Sequence, residues 1–268
     1  MNETYALSAK REAINLSNLL KLTLGEERFP VDVKLIAKER SKNEADPITL
    51  IKGDKLDGFE GALYPSPSGK PEWAILYNSS IREAGRVRFT LAHELGHYIL
   101  HRSVLDPVAI QCDRRDMTRW SDGDLIEAEA NEFASYLLMP LDDYRVQVGN
   151  AQMTFDLARH CGDRYGVSLT AVLLKWVEFT DAAVVLVASD KGEIAWSKSS
   201  AKAFKRGIFF RKGSRLPECS VAAIGAGSIF DSGDVAELPK GVWHANSAAR
   251  EWSVFSKRYN DLSLVEFL

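Results

Sequence analysis

Two histidines four residues apart, with a glutamate directly after the first, occur in His93-Glu94-Leu95-Gly96-His97. On an α-helix successive residues turn by about 100°, so His93 and His97 project from one face and present imidazole nitrogens to one ion. Zinc takes nitrogen, sulfur and carboxylate ligands in a tetrahedral set, and a catalytic site keeps one position for water. Glu94 is offset around the helix, so its carboxylate reaches such a water rather than the ion and can act as the base in attack on a carbonyl. Two histidines leave the ligand set incomplete. A second helix crossing the first can complete it, and the best supply is Glu127-Ala-Glu129-Ala-Asn131, which begins thirty positions after His97. Glu127 and Asn131 share a helical face, so Glu127 is the expected third ligand and Asn131 the group that hydrogen-bonds a ligand from behind. Glu129 points nearly opposite and is the second choice. His101 extends the series, but residues eight apart lie about 12 Å apart along a helix, too far for both to meet one ion. It is read as a C-terminal helix residue near the last carbonyls.

The elements that must hold these groups follow from periodicity. Ile81 to Arg102 reads as the motif helix, with Ser79 or Ser80 to cap it and Phe89, Leu91, Leu95 and Ile99 as its apolar contacts; Gly96 lets another backbone approach closely. Leu125 to Met139 forms the second helix, stopped by Pro140. Ahead of the motif, Ala6 to Leu24 has helical spacing, Pro30 to Ser41 suggests a short helix, and Ile48 to Ile51, Gly58 to Leu63 and Trp73 to Tyr77 read as strands of a small sheet. The strand at Trp73 is a candidate to pair with an extended substrate. Asp106 to Asp124 reads as a polar surface loop, and Thr154 to Glu178 as two short helices about Gly162 to Ser168. Beyond Thr180 the pattern changes to short β-like runs, Ala183 to Ala188 and Glu193 to Trp196, with turns at Gly225-Ala-Gly227 and Asp231-Ser-Gly233.

Bulk properties bound the reading. The chain has 268 residues, 46% hydrophobic and 26% charged, enough for a main domain with a companion. A net charge of -3 gives no global attraction to nucleic acid or to an anionic membrane, so such binding requires a local patch. Cys112, Cys161 and Cys219 have neither disulfide-framework nor metal-knuckle spacing, the N-terminus lacks a signal-peptide pattern, and no stretch approaches a membrane span. The expected location is the cytoplasm.

The two linked motifs, Arg88-Phe-Thr-Leu-Ala-His-Glu-Leu-Gly-His97 and Glu127-Ala-Glu-Ala-Asn-Glu-Phe-Ala134 with Leu137-Leu-Met-Pro140, resemble those of the ImmA/IrrE family of metallo-endopeptidases. The resemblance covers roughly residues 10 to 180 and is weak beyond Asp181. Carried onto matching positions, it implies His93, His97 and Glu127 as Zn2+ ligands and Glu94 as general base. It also implies an intracellular protease that cleaves a cognate helix-turn-helix repressor in a mobile-element, toxin-antitoxin or stress-response setting. This chain has no room for its own N-terminal repressor domain, so a separate partner is expected. The fold class expected is α+β. A mainly helical, zincin-like peptidase domain with a small sheet spans residues 1–180 and includes a helix-turn-helix-like unit at 154–178. A smaller β-rich domain, a sensor or partner-binding module, spans 181–268.

Plainer readings stand beside these. Leu157, Leu169, Val172, Leu173 and Trp176 have core spacing, so the 154–178 unit can serve packing alone. Between Glu193 and Glu218 the chain carries Lys198, Lys202, Lys205, Arg206, Arg211, Lys212 and Arg215 with no acidic residue, interleaved with Phe204, Phe209 and Phe210. Contact with nucleic acid, docking of an acidic target and a solvated basic face all remain open for it. The alternative function is a DNA- or protein-binding regulator with a structural or degenerate zinc site.

Overall fold

The computed structural model describes residues 8–66, 70–103, 110–113, 125–149, 151–225, 232–256 and 259–268. The expected turn at Gly225-Ala-Gly227 and most of the loop expected over 106–124 lie outside these residues. The chain is α+β, with two separate sheets. It groups into two units, residues 1–149 with 163–168 and residues 150–162 with 169–268, so the helical pair placed by its sequence with the peptidase domain is shared between them. No helix among the described residues is long and apolar enough to cross a membrane.

The first unit opens with α1 (Ala9–Leu24), whose buried face is Ala9, Ala13 and Ser17 rather than its leucines; Leu19 and Leu22 stay exposed. Small residues four apart let a neighbouring helix come close. Next comes α2 (Val33–Ser41), capped by the Asp32 side chain accepting from the Leu35 N–H. Three strands follow, β1 (Ile48–Asp54), β2 (Phe59–Pro65) and β3 (Trp73–Asn78). The motif helix is α3 (Ala84–Leu100). It starts later than its sequence suggests, because Asn78 Oδ1 accepts from both the backbone N–H and the hydroxyl of Ser80 and holds that serine in a turn. Ile110–Asp113 is a fourth strand, β4, within the stretch that composition reads as loop; its pairing with β2 is tertiary and leaves no local pattern.

The sheet order is β1-β3-β2-β4, with β1 parallel to β3 and the other pairs antiparallel. This corrects one expectation. Ile75 on β3 pairs with Ile51 on one side and Leu63 on the other, so both edges of β3 are used and it cannot take on a substrate strand.

Helices α4 (Leu125–Leu138) and α5 (Leu141–Val148) follow, and α5 is pinned by Asp143. That buried carboxylate accepts from Arg164 Nε and Nη2, both at 2.8 Å, and from the Tyr165 hydroxyl at 2.7 Å. Burial raises its pKa, but Arg164 and Tyr165 outweigh that and hold it below the usual carboxylate range. A lowered folded pKa gives stability fully present above the ordinary value, near 3.9, and lost as pH falls from there through the lowered folded value. Asp143→Asn is expected to cost about 2–3 kcal/mol in urea unfolding at neutral pH, with the difference from wild type shrinking in acid. A cost under about 0.5 kcal/mol would show the ion pair to be incidental.

In the second unit α7 (Leu169–Phe179), which follows α6 (Phe155–Tyr165), buries Val172, Leu173, Trp176 and Val177 and packs on β5 (Val184–Asp190) and β6 (Glu193–Ser199). Lys191 and Gly192, both with positive φ, make the two-residue turn between these strands. Two short helices, α8 (Ala201–Lys205) and α9 (Val221–Gly225), precede β7 (Ser232–Leu238), β8 (Ala249–Val254) and β9 (Asp261–Phe267). The antiparallel sheet runs β6-β5-β9-β8-β7 over a core that includes Val185, Val187, Trp243, Val265 and Phe267. Of the three phenylalanines in the basic run, Phe210 packs against Trp243 and Phe267, whereas Phe204 and Phe209 are exposed.

Candidate metal centre

Every residue of α3 from Thr90 to Ile99 is buried, so the helix passes through the interior of its unit with polar groups that must be satisfied there. Helix α4 meets it at Gly96. A Cβ at that position would lie 3.1 Å from Phe133 Cδ1 and 3.3 Å from Ala130 Cα, so the absence of a side chain sets the approach of the two helices. On the other side, Arg86 donates from Nε to Glu60 Oε2 at 2.8 Å and pairs with it again through Nη2, tying the start of α3 to β2.

This packing brings three side chains together. His93 Nε2 and His97 Nε2 are 3.0 Å apart, His93 Nε2 is 3.1 Å from Glu127 Oε2, and His97 Nε2 is 3.2 Å from Glu127 Oε1. The edge of a tetrahedron of ligands about zinc is about 3.4 Å for metal–ligand distances near 2.1 Å, so the triangle has the size such an ion requires. Donor chemistry agrees. Asn131 Oδ1 sits 3.0 Å from His93 Nδ1, and an amide oxygen only accepts, so His93 carries a proton on Nδ1 and can turn a lone pair inward from Nε2. The three groups lie within metal-binding distance of one another.

Electrostatics favour a cation here. Burial would raise the pKa of Glu127, yet the adjoining rings of His93 and His97 hold it far below the usual carboxylate range, so it is an anion at neutral pH. Burial is the largest effect on His97 and brings its pKa down to about 4, leaving that ring neutral. Burial also opposes protonation of His93, but the hydrogen bond to Glu127 and the charges of Glu94 and Glu127 prevail and raise its pKa.

Glu94 is fully buried one step round the helix, and β2 passes directly over it at Gly61. A Cβ on Gly61 would stand 2.4 Å from Thr90 Cγ2 and 2.6 Å from Glu94 Oε1. A glycine inside a strand pattern is the signal in the sequence that points to such a close approach at Gly61. His101 does not cap the last carbonyls with its ring, which instead lies between His97 and Glu129 because residues four apart share a face. Glu129, the second choice for a ligand, meets His101 rather than the His93–His97 pair.

Residues 53–176 match the family model of the IrrE N-terminal-like domain, Peptidase_M78. No curated protein matches the chain in sequence. Among solved structures, a Mycobacterium tuberculosis transcriptional regulator superposes with a TM-score of 0.55 at 12% identity, over 98% of this chain and 77% of its own. At that identity the likeness is one of fold.

Proposed function

The chain belongs, through residues 53–176, to the ImmA/IrrE family of metallopeptidases, and from that premise we propose that it is a zinc-dependent endopeptidase. The observation that carries the reading is the triangle of His93, His97 and Glu127 with the Glu94 carboxylate buried on the same helix. Zinc held by those three residues would supply a Lewis acid that polarises a peptide carbonyl and makes water a nucleophile at neutral pH. Glu94 takes the proton of the attacking water and returns it to the departing amide nitrogen. Asn131 keeps His93 in the tautomer that a ligand needs. The substrate we propose is a helix-turn-helix repressor in the same cytoplasm, supported by the family resemblance; residues 181–268 would sense a signal or bind a partner.

The Gly61 contact gives a test of this mechanism. Gly61→Ala is expected to press on Thr90 and the Glu94 carboxylate together, displace that carboxylate and reduce cleavage by at least about 100-fold, the low end of what a positioned base contributes. Zinc content should not change, because the ligand triangle is untouched. Full activity in this variant would mean that the placement of Glu94 does not matter.

A second reading has one observation in its favour: the structural neighbour is described as a transcriptional regulator. Under it the metal is structural and the chain acts by binding. The two readings part on Glu94, which a binding protein can lose without effect. Incubating the repressor encoded beside this gene with the zinc-loaded chain, and sequencing any fragments, tests the peptidase reading directly.

A further inference from the structure

We propose that His101 and Glu129 are positioning residues that fix the tautomer and orientation of His97; this rests on the reading of His93, His97 and Glu127 as the ligand set. His97 Nδ1 lies 3.1 Å from His101 Nδ1, and His101 Nε2 lies 2.9 Å from Glu129 Oε2. Each contact needs one donor and one acceptor. A carboxylate accepts, so His101 carries its proton on Nε2 and offers a lone pair at Nδ1. That lone pair accepts from the Nδ1–H of His97. The proton of His97 is thereby committed to the side away from the triangle, and its Nε2 lone pair faces Glu127 Oε1 and His93 Nε2.

The arrangement is continuous across two helices. His97 and His101 stand one turn apart on α3, and Glu129 reaches across from α4. His101 is 4% exposed, whereas the Glu129 side chain is 36% exposed, so the chain of contacts runs from the surface to the buried pair. The two ligand imidazoles are therefore supported differently. His93 is backed by the neutral amide of Asn131, and His97 by an imidazole that is itself backed by a carboxylate. Glu129 thus sits two hydrogen bonds behind His97 and outside the His93–His97–Glu127 triangle.

A purely structural tie between α3 and α4 would make a different prediction. Its loss would lower the stability of the metal-free protein and leave the affinity of the folded protein for zinc unchanged.

The test is the zinc affinity of the full chain, measured by competition with a chromogenic chelator, alongside thermal unfolding of the metal-stripped protein. His101→Leu fills the space without an acceptor and is expected to weaken zinc binding about 10- to 100-fold. His101→Asn, whose amide oxygen can stand in for Nδ1, is expected to recover most of that loss. Glu129→Leu, at a partly exposed position, is expected to fall between the two and carries the test where His101→Leu does not fold. Zinc affinity within about twofold of wild type in the folded leucine variants overturns the proposal while leaving the ligand set standing. A wild-type chain that binds no zinc overturns the ligand set and this proposal with it.

Discussion

Glu94→Gln is expected to abolish cleavage of the repressor substrate while leaving the zinc content at wild-type level. Glutamine has the size and shape of glutamate but takes up no proton at neutral pH, so the substitution removes the base and little else. Acid–base catalysis by a positioned side chain is worth about 10²- to 10⁴-fold, and the loss should fall in that range or below detection. Glu94 is not among the three groups whose donor atoms form the triangle, which is why metal content is expected to be retained. Measuring zinc by mass spectrometry on the same sample used for cleavage separates the two roles. Retained cleavage would place the base elsewhere and favour a chain that acts by binding.

Glu127→Ala is expected to do the opposite, removing the metal and activity together. Four-ligand zinc sites are worth about 10–16 kcal/mol, so one ligand supplies roughly a quarter, a loss of about 10²- to 10³-fold in affinity. The effect is sharpened here because Glu127 faces both imidazoles at 3.1 and 3.2 Å, and without it two buried nitrogens 3.0 Å apart have no anion between them. The variant should come through purification without zinc and regain little activity even in excess metal. Stoichiometric zinc in folded Glu127→Ala would assign the third ligand to another residue.

Much of this centre could be read from residue types and helical period. His93 and His97 stand on one face because four residues make nearly one turn, and Glu94 follows from adjacency. Glu127 and Glu129 differ by a rotation of about 200°, so period alone sends them to different neighbours, and the structure places one at the histidine pair and the other at His101. What period could not show was how closely elements approach. Gly61 matters only because β2 crosses α3 at Glu94, and the His101–Glu129 contact exists only because α4 docks at Gly96. The strands β4, β7, β8 and β9 were missed for a related reason: their pairing comes from distant segments, and sequences such as Asp261-Leu-Ser-Leu-Val-Glu-Phe267 alternate poorly. In α1 helical spacing is legible, but the most buried positions are the small residues Ala9, Ala13 and Ser17, with Leu16 and Leu20 half-buried beside them.

The most direct test of the metal centre is diffraction from crystals of the zinc-loaded protein at wavelengths on either side of the zinc absorption edge. One anomalous peak is expected in the His93–His97–Glu127 triangle, about 2.0–2.2 Å from His93 Nε2, His97 Nε2 and a Glu127 carboxylate oxygen. A peak at Glu129 and His101 instead, or no peak at α3 in crystals of protein that carries zinc, would contradict it.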